Sequence, residues 1–258
     1  MKELALITGA SGGIGKELAY IHAQKGRDSL LVARNNDKLE AIKKDITATY
    51  QTAVDIFPAD LTKNESAEKI TQHISEKKYL VKYLINNAGF GGYGKFHERD
   101  WKKDEEMIHL NIRALTHLTR LLLPKMLENG EGRILNVSST ASFMPGPLQA
   151  VYYASKAYVT SFSHAIAEEL KSTGITVTNL CPGPTDTGFV DASELSGSKL
   201  FSAKMTSAYS VARKGYKAME KGKVEIITEP ALWFAIKAII PFIPQKVLTR
   251  IVHSLQKK

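Results

Sequence analysis

The chain has 258 residues, of which 43% are hydrophobic and 24% charged, a composition typical of a globular domain. No run reaches the ~20 apolar residues of a membrane-spanning helix, and the first residues, 1–4, lack a signal-peptide hydrophobic region, so we expect a protein that is not secreted. The single cysteine, Cys181, excludes an internal disulfide and a thiolate metal cage. It suits a reducing compartment, so we expect a cytoplasmic location and no bound metal.

The 35 Lys and Arg residues exceed the 26 Asp and Glu residues by nine. Such a balance fits a nucleic acid, an anionic membrane surface or a phosphorylated ligand. Five of the nine net charges lie in residues 231–258, which contain no acidic residue. No zinc-ligand set or RNP sequence accompanies the charge, so we do not expect nucleic-acid binding.

Apolar runs of strand length alternate with stretches of helical period along the chain. The predicted strands are 4–7, 29–33, 53–57, 81–85, 133–137, 175–180 and 224–227. The predicted helices are 13–26, 36–50, 63–78, 103–128, 151–172 and 200–220. This alternation predicts an α/β fold of Rossmann type, a single-domain, doubly wound, seven-stranded parallel sheet with helices on both faces.

The domain organisation follows from the absence of any repeat, low-complexity segment or linker before residue 186. We predict one catalytic, dinucleotide-binding domain over residues 1–229 and a C-terminal tail, residues 230–258. Residues 186–200 are rich in small and polar types and predict a long loop of the kind that forms lids or binding loops. With the helix that follows, up to residue 221, this loop is the predicted substrate-binding segment.

A glycine-rich loop, Thr8–Gly15, follows the first strand and opens a helix. Glycines allow the backbone to approach a pyrophosphate, and the first turn of the helix offers free N–H groups to it. The spacing Gly9-x3-Gly13-x-Gly15 differs from G-x-G-x-x-G, and a glycine-rich turn without a ligand is the alternative. The second strand ends at Arg34 rather than at an acid, which favours NADP(H) over NAD(H), unless Arg34 is only a solvated surface residue.

Tyr152 and Lys156 are four residues apart at the start of a predicted helix, so both side chains can point into one site. Tyr153 cannot take the same place, because its i+4 neighbour is Ala157. A nearby ammonium favours the phenolate, so we predict that Lys156 lowers the pKa of Tyr152. Upstream, Ser138 and Ser139 end a strand at the carboxyl edge, where α/β sheets bind ligands.

Together these motifs resemble the short-chain dehydrogenase/reductase family, in its compact single-domain branch. The resemblance covers residues 3 to about 190, in order and in spacing. It is carried by Thr8-Gly9-x3-Gly13-Ile14-Gly15, Asn86-Asn87-Ala88-Gly89, Asn111, Ser139, Tyr152-x3-Lys156 and Cys181-Pro182-Gly183-Pro184-Thr185-Asp186-Thr187.

The resemblance implies a role for each catalytic position. Tyr152 is the general acid for carbonyl reduction or the base for alcohol oxidation, and Lys156 lowers its pKa and binds the nicotinamide ribose. Ser139 hydrogen-bonds the substrate oxygen, because it precedes Tyr152 by the family's thirteen residues, as Ser138 does not. Asn111 holds a water that links Lys156 to solvent.

The resemblance also implies a set of positions that bind the cofactor. Gly9, Ser11, Gly13, Ile14 and Gly15 belong to the phosphate loop, and Ser11 and Arg34 resemble positions that receive a 2′-phosphate. The remaining positions are Asp60 and Leu61 beside the adenine, Asn87, Ala88 and Gly89 along the ribose, and Pro182, Gly183, Thr185 and Thr187 around the nicotinamide.

Apolar residues follow the strands that end near the nicotinamide. Phe90 and Phe143, together with Phe189 and Val190, suggest an apolar pocket for a lipophilic or acyl-chain substrate. Ordinary loop packing is the alternative interpretation of these residues.

The tail contains Trp233, Phe234 and Phe242, and then apolar residues at helical spacing between basic ones. Val247, Leu248, Ile251, Val252 and Leu255 alternate with Lys246, Arg250, Lys257 and Lys258. A basic amphipathic helix is typical of membrane-surface binding. The alternative is that it covers the domain's own core, the substrate mouth or a second subunit, and the family resemblance implies a homo-oligomer.

We therefore expect an NADP(H)-dependent oxidoreductase that interconverts a carbonyl and an alcohol by hydride transfer. Two alternatives are a catalytically silent dinucleotide-binding regulator and a sugar-nucleotide epimerase or dehydratase, which shares the Tyr-x3-Lys pair. Intact Ser139, Tyr152 and Lys156 disfavour the regulator, and the glycine spacing of residues 9–15 disfavours the epimerase.

Overall fold

The computed structural model describes residues 2–189, 193 and 205–257. Its main sheet has seven parallel strands in the order β3-β2-β1-β4-β5-β6-β9. These are β1 (Lys2–Thr8), β2 (Ser29–Ala33), β3 (Val54–Pro58), β4 (Tyr79–Asn86), β5 (Gly132–Val137), β6 (Ile175–Cys181) and β9 (Glu225–Ile227). Short strands β7 (Thr185–Asp186) and β8 (Thr206–Ser207) pair with each other. The predicted fold is confirmed, and each predicted strand lies within two residues of its observed bounds.

Helices follow the strands on both faces of the sheet. They are α1 (Gly13–Ala23), α2 (Asn36–Tyr50), α3 (Ser66–Glu76), α4 (Trp101–Ile108), α5 (Leu115–Asn129), α6 (Ala150–Glu169), α7 (Ala208–Glu220), α8 (Pro230–Phe234) and α9 (Gln245–Gln256). The helix predicted over 103–128 is interrupted by a π-helical turn, His109–Ala114, between α4 and α5. The helix predicted over 200–220 begins at Ala208, and residues 200–204 lie outside the described residues.

The sheet separates two apolar cores because successive strand residues point to opposite faces. In β2, Leu30 packs with residues of α3, α5 and α6, whereas Leu31 packs with residues of α1, α2 and α7. β1 lies between β2 and β4: the chain runs outward from β1 to β3 and then crosses back to place β4 on the other side of β1. Loops at the carboxyl ends of β1 and β4 therefore diverge and leave a crevice, the usual ligand position in such sheets.

The tail packs back onto this edge of the domain. Leu248 and Val252 of α9 are buried against Met107, Tyr152 and Tyr153. The inner face of the tail therefore covers the domain's own core beside the candidate site. Among the described helices, none is long and apolar enough to span a bilayer.

Candidate active site

The glycine-rich loop is fixed to the segment that follows β4. Asn87 Nδ2 donates to the carbonyl oxygens of Thr8 at 3.0 Å and Gly9 at 3.2 Å. The Thr8 hydroxyl accepts from the backbone N–H groups of Asn87 and Ala88 at 3.0 and 3.1 Å. Gly9 has φ of +66°, and a Cβ there would lie 2.8 Å from Asn87 Nδ2, so only glycine allows this approach.

The residues of this loop fit a dinucleotide pyrophosphate. α1 begins after Gly12, and no side chain caps its first turn, so the N–H groups at Gly13 to Gly15 are left for an anionic ligand. The Thr187 side chain lies near Gly13, with its Cγ2 3.1 Å from the place of a Cβ. The loop therefore faces the segment predicted to hold the nicotinamide, while Ile14 packs against the core.

Arg34 is exposed and directly follows β2. β2 pairs with β1, which leads into the loop that carries Ser11. Its positive charge helps to lower the pKa of Asp60, whose carboxylate also accepts hydrogen bonds from Thr62. Leu61 is buried beside Asp60. The three positions predicted around the adenosine therefore lie at neighbouring strand ends.

Tyr152, Ser139 and Lys156 meet at the carboxyl edge of the sheet. The hydroxyl group of Ser139 lies close enough to that of Tyr152 to act on its pKa. Lys156 Nζ lies 6.0 Å from the centre of the Tyr152 ring and donates to the carbonyl oxygen of Val137 at 2.8 Å. Tyr152 and Lys156 are 9% and 6% exposed, so the structure brings the predicted constellation together in a site shielded from water.

The predicted electrostatics of this pair is wrong for this structure. Burial raises the pKa of Tyr152 to about 12, and the nearby Ser139 hydroxyl only partly opposes the shift. Burial also lowers the pKa of Lys156 to about 8, so its ammonium is less strongly favoured than in water although it still carries the charge at neutral pH. Desolvation disfavours both charged forms, so the phenol keeps its proton near neutral pH.

The neighbouring Ser138 and Tyr153 have different contacts. Ser138 Oγ donates to the carbonyl oxygen of Lys156 at 2.9 Å and lies 2.8 Å from the Thr160 hydroxyl, so it holds α6 against β5. The Tyr153 hydroxyl accepts from Gln256 Nε2 at 2.5 Å. Both side chains are used structurally. Ser139 Oγ accepts from the N–H of Ala141 at 3.1 Å, which leaves its own proton to donate.

Asn111 lies on the π-helical turn between α4 and α5. Its Oδ1 accepts from the N–H of Phe90 at 3.1 Å, and its Nδ2 donates to the carbonyl oxygen of Phe90 and to Ser155 Oγ, each at 3.0 Å. A Cβ at Gly89 would lie 3.0 Å from Asn111 Oδ1 and 3.3 Å from Lys156 Nζ. Asn111 thus adjoins Lys156, at a π-bulge of the type that recurs at functional sites.

The segment after β6 is ordered by hydrogen bonds to two other parts of the chain and by one within itself. The carbonyl oxygen of Pro182 accepts from the N–H of Thr140 at 2.9 Å, and Thr185 Oγ1 donates to the carbonyl oxygen of Gly183 at 2.8 Å. The N–H of Gly183 donates to Glu229 Oε2 at 2.9 Å. Sequence reasoning missed Glu229, whose only signal was its position directly after the last strand.

The predicted substrate residues divide into two groups. Phe90 and Phe189 pack in the apolar cluster around Tyr152, with the rings of Phe189 and Tyr152 5.3 Å apart. Phe143 instead packs near Cys181 and Ile236, with Lys237 Nζ 5.1 Å from its ring centre. Val190 lies outside the described residues.

An apolar cavity of about 480 Å³ adjoins this region but does not include Tyr152 or Ser139 in its wall. It lies between the segment that follows Ser139, the start of α6 and the first residue of α9. Phe143, Met144, Tyr153 and Gln245 are among its lining residues. It extends the apolar surroundings of the site toward the tail.

Two further polar arrangements near the site were missed by sequence reasoning. Gln256 is fully buried and accepts from Gln149 Nε2, which ties the end of α9 to the start of α6. Arg99 pairs with the buried Asp104 at 2.8 Å and donates to the carbonyl oxygen of Tyr93 at 2.7 Å, which fixes the loop after Phe90. Gln256 had no local sequence signal, because its partners lie more than 100 residues away. The Arg99 contacts are five and six residues away, but no motif distinguishes them from an exposed ion pair.

A family model described as short chain dehydrogenase matches residues 3–197. The chain belongs to this family of oxidoreductases. It is 37% identical, over 186 residues, to human (Homo sapiens) 17-beta-hydroxysteroid dehydrogenase type 3, an alignment that covers 70% of this chain and 59% of that protein. The chain spans about three fifths of the length of several curated relatives that it matches.

Solved structures of this family share the fold over almost the whole chain. A short-chain dehydrogenase from Sphingobium yanoikuyae in complex with NADPH is 28% identical, with a TM-score of 0.82 and coverage of 95% of this chain and 97% of that one. A short chain dehydrogenase/reductase from Burkholderia phymatum in complex with NAD is 23% identical, also with a TM-score of 0.82 and with 92% of each chain covered, which shows the fold alone. The fold implies a nicotinamide dinucleotide cofactor, and the glycine loop fits one.

Proposed function

We propose that this chain is an NADP(H)-dependent oxidoreductase that interconverts a carbonyl and an alcohol by hydride transfer, with Tyr152 as general acid and base. The observation that carries the proposal is that the side chains of Tyr152, Ser139 and Lys156 come together at a buried site, with the ammonium of Lys156 6.0 Å from the centre of the Tyr152 ring. The coenzyme supplies or accepts the hydride. The chain's own residues supply orientation, exclusion of water and the proton.

Each polar group has a distinct part in that reaction. The Ser139 hydroxyl can donate to a carbonyl oxygen of the substrate and so stabilise the charge that develops there. Tyr152 then gives its phenolic proton to the same oxygen, and its raised pKa of about 12 ensures that the proton is present at neutral pH. These properties favour carbonyl reduction, because oxidation would need the phenolate.

Lys156 and Asn111 support this proton donor. Lys156 reaches the carbonyl oxygen of Val137 in this structure and lies near Gly89, on the stretch predicted to follow the ribose. Asn111 orders that stretch through Phe90. We propose that Lys156 binds the ribose and that Asn111 positions a water molecule that links the Lys156 ammonium to solvent.

The preference for NADP(H) is proposed from charge. Arg34 is exposed at the end of β2, and no acidic residue occupies that position. A guanidinium there can make charge-assisted hydrogen bonds to a 2′-phosphate, with Ser11 on the adjacent loop as a second donor. An acid at the same place would repel that phosphate.

A lipophilic or acyl-chain substrate is proposed from the surroundings of Tyr152. Phe90, Phe189 and Met107 pack around it, and the apolar cavity of about 480 Å³ lies next to them. The match to a hydroxysteroid dehydrogenase supports the same chemistry. A hydrophobic wall of this kind gains affinity with each buried methylene of the substrate.

The homo-oligomer implied by the family resemblance stays a prediction, as does the cytoplasmic location. Leu121 and Leu127 on α5 and Tyr158 on α6 are exposed apolar side chains outside the tail. We propose them as part of a contact between subunits. Sedimentation velocity of the purified protein measures the subunit number.

The decisive experiment is a screen of ketones and alcohols that follows NADPH absorbance with the wild type, Tyr152→Phe and Tyr153→Phe. Loss of the general acid should lower turnover about 10²- to 10⁴-fold in Tyr152→Phe. Tyr153→Phe removes the same atom one residue away and should retain activity on at least a short substrate. Retained turnover in Tyr152→Phe would refute the proposal.

The coenzyme preference has its own test. Arg34→Asp should weaken NADPH binding roughly 10- to 100-fold, the equivalent of one lost charge-assisted hydrogen bond, and should leave NADH binding nearly unchanged. Lys171→Asp carries the same charge change just after α6, at the opposite edge of the sheet, and serves as the control. Equal effects on both coenzymes would remove the NADP(H) assignment.

A further inference from the structure

The tail has an outer face that the domain does not cover. On α9, every fourth residue falls in one row along the helix. Leu248, Val252 and Gln256 form the buried row. The next row, Val247, Ile251 and Leu255, is apolar yet 46%, 45% and 44% exposed.

A basic row lies on the other side of this exposed apolar row. Lys246 and Arg250 each precede one of its members by one residue, and both are exposed. α9 therefore presents, in order around its surface, a basic row, an apolar row and a buried row. This is the pattern of a helix that lies in the plane of a membrane surface.

Aromatic side chains that precede α9 extend the exposed apolar surface. Phe242 is 83% exposed, between Ile240 and Ile243, which pack inward beside the Tyr152 cluster. Trp233 and Phe234 are 51% and 56% exposed, on the short helix α8. The Trp ring favours the headgroup level of a bilayer, and Phe rings supply apolar surface for the acyl boundary below it.

Charge decides between a membrane and a second copy of the chain. Residues 231–258 carry five basic residues and no acidic one, although Lys237 is paired with Glu225 at 2.7 Å. A two-fold contact of this face with itself would bring the basic rows of both copies together. An anionic bilayer instead complements the charge and covers the apolar row.

We propose that the outer face of the tail docks on an anionic lipid bilayer and thereby places the substrate site at the membrane surface. The same element joins both sides, since Leu248 and Val252 contact the cluster of Tyr152 while Ile251 faces outward. Buried Gln256 anchors the helix end through Tyr153. A lipophilic substrate dissolved in the bilayer then enters the site beside the tail; this consequence rests on the proposed function.

The test is co-sedimentation of the full chain with vesicles of phosphatidylcholine, with and without about one third phosphatidylserine. We expect binding to the anionic vesicles that weakens as salt rises. Lys246→Glu with Arg250→Glu should lower the partition coefficient about tenfold or more. Val247→Ser with Ile251→Ser should lower it by a similar factor, because each loses a partly exposed apolar side chain.

Matched controls separate these effects from general changes of charge or hydrophobicity. Lys125→Glu with Lys171→Glu makes the same charge change, and Val224→Ser removes a similarly exposed valine; none of the three residues belongs to the tail. These variants should sediment like the wild type. Absence of binding to anionic vesicles, or equal loss in the controls, would overturn the proposal.

Two further readouts complete the test. Sedimentation velocity without lipid should show the same subunit number for the tail variants and the wild type. Dissociation of an oligomer in the tail variants would assign the face to a second copy and overturn the proposal. NADPH turnover on a water-soluble ketone should be unchanged in the tail variants. If the wild type binds vesicles but turns over none of the substrates, the proposed function is refuted and membrane docking still stands.

Discussion

The glycine at position 15 allows a sharp test of the phosphate loop. A Cβ at Gly15 would collide with the carbonyl oxygen of Gly9 and with Asn87 Nδ2. Gly15→Ala must therefore displace the loop or expel the Asn87 side chain from its two hydrogen bonds to Thr8 and Gly9. Gly12→Ala is the matched control, because Gly12 has extended backbone and nothing within 4 Å of its Cβ position.

The expected change in the free energy of unfolding is the sum of two destabilising effects and one stabilising effect. Overpacking a tight site costs about 1–3 kcal/mol, and the two lost hydrogen bonds cost about 1 kcal/mol each. Alanine gains about 1 kcal/mol over glycine within a helix. The net loss in the free energy of unfolding for Gly15→Ala should therefore be about 3 kcal/mol, against less than about 1 kcal/mol for Gly12→Ala.

Urea denaturation measures the stability change, and fluorescence titration with NADPH measures coenzyme binding. The displaced loop should weaken NADPH binding more than about tenfold in Gly15→Ala, since the N–H groups of α1 no longer align with the phosphates. Unchanged stability and coenzyme affinity in Gly15→Ala would refute the close approach at this loop. Equal damage in Gly12→Ala would show that any added methyl group is harmful.

Three further predictions concern buried polar groups. Burial lowers the pKa of His22 from 6.5, its ordinary value, to about 3 in the folded protein. Below a pH of about 6.5 the unfolded chain therefore binds a proton that the folded protein does not, and the free energy of unfolding falls. Urea denaturation should show a loss of about 2 kcal/mol between pH 7 and pH 5, and His22→Gln should flatten that slope. Asn111→Leu removes three hydrogen bonds and should cost about 3 kcal/mol of stability and slow NADPH oxidation. With the Tyr152 pKa at about 12, alcohol oxidation should rise about tenfold per pH unit near neutrality while reduction stays level; a reduction rate that falls above pH 7 would contradict this.

The strands and the phosphate loop were predictable because their signals are local. β2 is apolar on both faces of the sheet, with Leu30 on one face and Leu31 on the other. A short run that is apolar on both faces is typical of a buried parallel strand. The glycine loop is likewise defined by residues within one strand-to-helix turn. The positions of Tyr152 and Lys156 on one helix face follow from helical geometry alone.

The parts that could not be predicted depend on contacts between distant segments. The π-helical turn at Asn111 accompanies hydrogen bonds to Phe90 and Ser155, which no periodicity of the helix reveals. Phe143 packs against Lys237, which belongs to a tail that begins almost 90 residues later in the sequence. The buried partner of Tyr153, Gln256, lies 103 residues away in sequence.

The pKa of Tyr152 shows most clearly how burial can reverse an inference from spacing. An ammonium one helical turn away acidifies a phenol in water, but both groups lose their hydration here, and each shifts toward its neutral form. The buried phenol of Tyr152 thus keeps its proton, next to Ser139. The tail helps to create this condition, because Leu248 and Val252 pack against the cluster that excludes water from the phenol. The element proposed to meet the membrane therefore also contributes to the raised pKa of the proposed acid, and opening it should lower the pKa of Tyr152 toward its ordinary value.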